Sequence, residues 1–334
     1  MNKIYIIAEA GVNHNGSLKT AKELINKAAF AGADAVKFQT FRADTIVSIH
    51  APKADYQKKL TGLNESQYQM LKKLELSYDN HLELKKHCQK MKIDFLSSAF
   101  DIDGVKFLKR LKLKFIKVPS GEITNLPYLE AVGGLNGKVL LSTGMSELVE
   151  IADAVEVLVK NGTKRSNITL LQCNTDYPAP FEDANLRVLN TLAQRFKLPV
   201  GYSDHTVGIE ASIAAAALGA TVIEKHFTLD RAMPGPDHKA SIEPAELKLL
   251  VKSVRNIEAA LGSGIKKPTK SELRNIKAAR KSIVAAVPVM KNELFTEQNI
   301  AVKRPGTGIS PMLWHKILGK RANKNFGKDE LITL

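Results

Sequence analysis

The chain has 334 residues, 44% of them hydrophobic, a formal net charge of +15 and two cysteines, Cys88 and Cys173. That length buries a sizeable core and that composition is globular, which excludes a disordered chain. No apolar run nears the ~20 residues of a membrane span, and two distant cysteines give no disulfide framework and suit a reducing cytoplasm.

The basic excess is mostly lysine, spread over helical segments such as Leu84-Lys85-Lys86-His87. No arginine-rich tail or basic block interleaved with aromatics stands out, so a solvated basic surface is expected, with neither nucleic acid nor membrane as partner. The first residues, Ile4-Tyr5-Ile6-Ile7-Ala8-Glu9, enter a strand at once and lack the pattern of a signal peptide, which gives the expectation of a cytoplasmic protein.

Short apolar runs at 4–8, 35–38, 95–98, 115–118, 139–142, 168–172, 200–202 and 221–226 predict eight strands. Amphipathic stretches between them, at 18–29, 81–91, 105–111, 147–159 and 208–218, predict helices, the first capped by Ser17. Strand and helix in eightfold alternation is the order of an α/β protein, a (β/α)8 TIM barrel or a doubly wound sheet. The strand ends favour the barrel. Glu9, Lys37, Ser98, Lys117, Ser120, Glu122, Ser142, Thr175, Ser203, His205, Glu224 and His226 all lie in or just past the carboxyl ends. A barrel gathers those ends at one mouth, whereas an open sheet strings them along an edge. Some of them would do no more than cap helices or start turns.

The stretch from Thr40 to Glu65, with Arg42, Lys53, Asp55, Tyr56 and Gln57, lacks strand character and reads as a functional excursion over the mouth. After Leu261 the chain turns Gly-, Pro- and Lys-rich. The predicted division is a barrel at 1–262, a linker at 263–280 and a small unit at 281–334, with turns at Lys291-Asn292-Glu293 and Arg304-Pro305-Gly306-Thr307-Gly308.

Lysine within an apolar strand is costly unless it meets negative charge. Lys37 and Lys117, with Ser98, Ser120 and Ser203, would cradle phosphate and carboxylate oxygens. A Schiff-base lysine is the rival reading. His205 and His226, at the ends of neighbouring strands, form a candidate metal pair. So few protein ligands suit an octahedral ion, Mn2+ first, with Mg2+ or Co2+ as alternatives. In the loop Met233-Pro234-Gly235-Pro236-Asp237-His238, Asp237 is either a solvated turn residue or a hydrogen-bonding partner for sugar hydroxyls. His14, in Asn13-His14-Asn15-Gly16, is either a turn residue or part of the site.

Taken together, Ala8-Glu9-Ala10-Gly11-Val12-Asn13-His14-Asn15-Gly16, Val36-Lys37-Phe38-Gln39-Thr40, Lys117-Val118-Pro119-Ser120-Gly121-Glu122, Ser142-Thr143-Gly144-Met145, Tyr202-Ser203-Asp204-His205-Thr206, Glu224-Lys225-His226-Phe227, Gly235-Pro236-Asp237 and Lys303-Arg304-Pro305-Gly306-Thr307-Gly308 closely resemble the sialic acid synthase family. The resemblance covers essentially the whole chain in order. It implies a (β/α)8 barrel followed by a small antifreeze-like (SAF) domain, in a homodimer whose SAF domain covers the partner's active site. It implies condensation of phosphoenolpyruvate with an N-acetylated amino sugar. His205 and His226 would hold the metal, and Lys37, Lys117, Ser98, Ser120, Ser142 and Ser203 would hold phosphoenolpyruvate. Glu9, Gln39, Tyr177 and Asp237 would contact the sugar, and Arg304 would reach its N-acetyl group from the partner subunit. Ser98-Ala99 stands where the family often has Thr-Pro, and Thr175 where some members place an Asn on phosphoenolpyruvate.

On that resemblance Glu122, Glu9 and Lys117 carry the chemistry. Glu122 would steer water or steady a cation, and Glu224 would orient a His or a metal-bound water. The expected product is N-acetylneuraminate from N-acetylmannosamine, with N,N'-diacetyllegionaminate from a 2,4-diacetamido-trideoxy sugar, or another phosphoenolpyruvate-dependent nonulosonate, as the alternative. A synthase of a seven- or eight-carbon acid, a Schiff-base aldolase and a non-enzymatic carbohydrate binder are the rival classes.

Overall fold

The computed structural model describes residues 3–53 and 65–334; Asp55, Tyr56 and Gln57 lie outside them. The chain divides into two compact units, Met1–Gly262 and Ser263–Leu334.

The first unit is a closed barrel of parallel strands in the order β1 to β8. These are β1 (Tyr5–Gly11), β2 (Ala35–Thr40), β3 (Asp94–Ala99), β4 (Ile116–Val118), β5 (Val139–Ser142), β6 (Ile168–Cys173), β7 (Val200–Asp204) and β8 (Val222–His226). Nearly every strand residue is buried, because one face fills the barrel and the other packs under helices. That is why the strands appear in sequence as short continuous apolar runs. Helices α1 (Leu18–Ala31), α2 (Ala43–Ile46), α3 (Gln67–Leu74), α4 (Tyr78–Met91), α5 (Ile102–Leu111), α6 (Leu126–Gly133), α7 (Leu148–Lys160), α8 (Val188–Phe196), α9 (Glu210–Ala217) and α10 (Pro244–Leu261) follow in order.

Local chemistry sets the helix bounds. Ser17 accepts from the Thr20 amide at the start of α1, and Ala21, Leu24, Ile25 and Ala28 form its buried stripe. The helices predicted at 81–91 and 105–111 begin three residues earlier, because Ser77 and Asp101 cap them. The stretch 40–65 is not one long loop among its described residues, since β2 runs through Thr40 and α2 follows.

Inside the barrel, Ile7, Ala35, Leu96, Leu140, Leu171 and Val222 form an apolar plug. The ladders stack polar residues above it: Glu9 is in register with Lys37 and with His226, Ser98 with Lys117, and Ser203 with Glu224.

The second unit holds helix α11 (Lys270–Ala279) and an antiparallel pair, β9 (Ser282–Ala285) and β10 (Ile300–Lys303). Ile283, Val289, Phe295, Ile300, Ile317 and Phe326 form its own core. The segment 263–280, predicted as a linker, is therefore more than half helix. Thr269 and Glu272 close a reciprocal capping box that starts α11.

Candidate active site

The carboxyl ends of the strands enclose a cavity of about 500 Å3. The barrel residues that the family resemblance implies for the site all line it: Glu9, Lys37, Gln39, Ser98, Lys117, Ser120, Glu122, Ser142, Thr175, Tyr177, Ser203, His205, His226 and Asp237. Arg304 belongs to the second unit, where it is exposed and its Nε donates to the Ala279 carbonyl.

Four buried charges form the floor. Lys37 Nζ lies 2.8 Å from Glu9 Oε2 and 3.8 Å from Glu224 Oε1, and Lys117 Nζ donates to Glu224 Oε1 at 3.0 Å. Ser203 Oγ donates to the same Glu224 oxygen, and Lys37 donates to Ser98 Oγ at 3.1 Å. Burial alone would raise the Glu224 pKa, but Lys117 and Lys37 outweigh it and hold the carboxyl below its ordinary range. Burial raises Glu9, and Lys37 offsets only part of that. Lys37 is held protonated, because Glu224 and Glu9 outweigh its desolvation. Glu224 therefore differs from the expectation that it orients a His: its carboxylate joins the two lysines. The sequence pairs His226 with Glu224 by strand alternation, but barrel closure brings Lys37 and Lys117 to that carboxylate.

On the side of β4 to β6, Ser120 Oγ accepts from the Gly144 amide at 3.1 Å and sits 3.1 Å from Cys173 Sγ. A Cβ on Gly144 would come within 2.8 Å of both Ser120 Oγ and Thr175 Cγ2, so only glycine lets this loop close. Neither Gly144 nor Cys173 was singled out from sequence; Gly144 stood inside the Ser-Thr-Gly-Met motif.

Across the cavity, the His205 and His226 rings lie 5.3 Å apart, and the Tyr177 ring packs 4.2 Å from His205. Burial lowers the His205 pKa to about 4 and that of His226 well below its usual value, so both rings are neutral. His205 Nδ1 is hydrogen-bonded to the Asn174 carbonyl, which puts its proton there and leaves the Nε2 lone pair unprotonated. His226 Nδ1 is buried without a hydrogen-bond partner, 3.8 Å from Asp237 Oδ2. Two neutral imidazoles with an orphaned ring nitrogen fit a divalent cation. Among the described residues no group of three or more His, Cys, Asp or Glu side chains is arranged to hold one, so waters or substrate would complete the shell.

Asp237 is buried, and burial raises its pKa to about 6. Gly11 (φ +47°) sits between it and Glu9; a Cβ there would lie 3.3 Å from Glu9 Oε1 and 3.6 Å from Asp237 Oδ2. Glu122 is half-buried at the mouth, raised by burial, and accepts from Asn125 Nδ2 at 2.6 Å.

His14 does not line the cavity. It is buried, and its Nδ1 accepts from the Gly16 amide at 3.0 Å, so the turn reading holds. Arg42 is exposed beside Asp44, and Lys53 lies 3.9 Å from Glu65. The sequence reading missed the remaining wall. Phe41, just past the end of β2, and Ile46, Met70, Leu71 and Leu74 of α2 and α3 line the cavity with an apolar face. Its signal was the spacing of Met70, Leu71 and Leu74 on one side of a helix.

A family model described as NeuB family matches residues 24–266, and one described as SAF domain matches residues 280–334. The chain is 57% identical to the N,N'-diacetyllegionaminic acid synthase of Campylobacter jejuni over 99% of each chain. It is 46% identical to the enzyme of the same name from Legionella pneumophila, over 96% of this chain and 91% of that one. Its backbone is similar to a crystal structure of the N-acetylneuraminic acid synthetase of Leptospira borgpetersenii (TM-score 0.72, 36% identity, 82% of this chain and 90% of that one).

Proposed function

The chain belongs to the NeuB family and ends in a SAF domain, and from that premise we propose that it makes N,N'-diacetyllegionaminate from phosphoenolpyruvate and 2,4-diacetamido-2,4,6-trideoxy-mannose. At the coarser level it is a phosphoenolpyruvate-dependent nonulosonate synthase, a transferase. The sequence reading put N-acetylneuraminate first. The 57% identity to a legionaminic acid synthase over 99% of both chains carries the change to the alternative. The apolar wall supports it. Relative to N-acetylmannosamine, this sugar has a methyl at carbon six for a hydroxymethyl and an acetamido at carbon four for a hydroxyl.

The two substrates meet between the charged floor and the histidine face. Lys37 and Lys117, with Ser98, Ser120, Ser142 and Ser203, hold the phosphate and carboxylate of phosphoenolpyruvate. Lys37 is already paired with Glu9, and the raised Glu9 carboxyl takes up a proton as the anion arrives. Gln39, Tyr177 and Asp237 orient the sugar in its open aldehyde form. A divalent cation held by His205 and His226, with Mn2+ the first choice, would supply Lewis-acid polarisation of that aldehyde. Carbon three of phosphoenolpyruvate attacks the aldehyde carbon, leaving positive charge at carbon two. Water adds there and phosphate departs with the bridging oxygen. Glu122, oriented by Asn125 and made more basic by burial, accepts the water's proton.

Arg304 completes the site in a homodimer whose SAF domain covers the partner's mouth. No helix among the described residues is long and apolar enough to cross a membrane. A cytoplasmic location remains part of the proposal, supported by two cysteines that are both free. Assay of the purified protein with phosphoenolpyruvate and each sugar, with products identified by mass spectrometry, tests the reading. A higher kcat/KM with N-acetylmannosamine overturns the choice of sugar. Bridging-oxygen label that stays on the product overturns the C–O cleavage.

A further inference from the structure

Directly behind the two histidines, outside the cavity, lies a second buried ion pair that the chemistry above does not use. Asp204 on β7 and Lys225 on β8 are in register. Asp204 Oδ2 and Lys225 Nζ are 2.9 Å apart, with side chains 0% and 1% exposed. Lys225 Nζ also donates to the Thr206 carbonyl at 2.8 Å. Asp204 Oδ1 accepts from the Thr206 amide at 2.9 Å and from Thr206 Oγ1 at 2.7 Å, and Oδ2 accepts from Ser212 Oγ on α9 at 2.6 Å.

The placement follows from alternation. His205 lies between Asp204 and Thr206, and Lys225 lies between Glu224 and His226. His205, Glu224 and His226 face the cavity, whereas Asp204, Thr206 and Lys225 do not line it. Each backbone segment that bears a histidine is thus tied to its neighbour from the far side. The His205 carbonyl is further held by the Ala179 amide at 2.8 Å, and the His226 carbonyl by the Ile242 amide at 2.9 Å. A buried ion pair is weak evidence for stability, because its desolvation cost rivals its attraction. It does fix geometry, since both partners lose badly if they separate.

We propose that Asp204 and Lys225 form a positioning clamp that sets the spacing of His205 and His226 for one divalent cation. The proposal rests on the metal reading above. Its test is the Asp204→Asn/Lys225→Met double variant of the full chain, which removes the pair without leaving a lone buried charge. Free Mn2+ is followed by its electron paramagnetic resonance signal in a titration, beside the thermal midpoint of the metal-free protein. The expected result is a Mn2+ Kd raised about 10- to 100-fold, as for residues that orient metal ligands, with lost turnover recovered by excess Mn2+. A lower thermal midpoint with an unchanged Kd overturns the clamp alone and leaves the pair merely structural. A wild-type protein that leaves the Mn2+ signal untouched overturns the metal reading and the clamp with it. Should the double variant not fold, Ser212→Ala, which removes one bond to Asp204, decides: a Kd several-fold higher supports the clamp and an unchanged one overturns it.

Discussion

Lys117 Nζ and Glu224 Oε1 meet at 3.0 Å on the barrel floor, although 107 positions separate them in the chain. Glu224 Oε1 also lies 3.8 Å from Lys37, so one carboxylate neutralises two buried ammonium groups in part. Glu224→Gln leaves those lysines short of negative charge. Breaking a buried pair from one side costs about 3–5 kcal/mol, so the variant's thermal midpoint falls. Phosphoenolpyruvate, an anion, restores part of that loss. Thermal melts with and without it should show a larger upward shift for the variant than for wild type. Equal shifts would mean the lysines do not hold the anion.

If His205 and His226 hold the proposed cation, exhaustive chelation is expected to abolish turnover and added Mn2+ to restore it. The neutral state of both imidazoles makes them ready ligands without a proton to displace. Full activity after chelation would show that the histidine pair serves another purpose.

The order of the fold was legible because each barrel strand is buried on both faces and carries a polar residue in or just past its carboxyl end. Lys37, Lys117, His205 and His226 stood out as charges or imidazoles at the ends of apolar runs. What the chain could not display was register. That Glu224 meets Lys117 depends on barrel closure and on two distant ladders, not on any local spacing. The apolar wall was hidden for a different reason. Its α2 residue lies inside the stretch read as loop and its α3 residues just beyond it, and short helices of 4 and 8 residues leave little periodicity to detect. Helix α11 was missed although its Thr269/Glu272 box was in plain sight, because Gly, Pro and Lys just before it suggested a linker.

His14 makes acid stability depend on one turn. Burial lowers its pKa from 6.5 to about 4, and charging it would also cost the bond from the Gly16 amide. Between those values the unfolded chain binds a proton that the folded chain refuses. Stability from this group is thus complete above pH 6.5 and is lost as pH falls towards 4. His14→Gln removes that slope. In urea unfolding at pH 7 and 4.5, the stability gap between wild type and variant narrows by about 2–3 kcal/mol at the lower pH. A gap that stays constant refutes the assignment. Groups raised by burial, such as Glu9 and Asp237, act in the opposite direction but equally in both proteins.

Arg304 allows the proposed dimer to be tested by subunit mixing. Arg304→Ala and Lys117→Met homodimers are each expected to be nearly inactive. If the SAF domain of one subunit serves the barrel of the other, a mixed dimer has one complete site: the intact barrel of the Arg304→Ala subunit covered by the partner's intact arginine. Mixing the two proteins under subunit exchange should then recover up to about a quarter of wild-type activity, from half the dimers carrying one site each. No recovery, with exchange verified by mass, rules out a site shared in this way.

Leu71 tests what the apolar wall reads. It lines the cavity from α3 and packs in one apolar cluster with Ile46 and Phe41. A wall of this kind gains from burying the carbon-six methyl and the carbon-four acetamido methyl of the trideoxy sugar, while it leaves the hydroxyls of N-acetylmannosamine without partners. One methyl-sized contact in such a pocket is worth about 1–3 kcal/mol. Leu71→Asn should therefore lower kcat/KM for the diacetamido sugar about tenfold or more. It should lower it far less for N-acetylmannosamine, with the KM for phosphoenolpyruvate unchanged because the charged floor is untouched. A uniform fall for both sugars would assign the wall to the scaffold, and discrimination would then have to come from polar groups nearer Gln39 and Asp237.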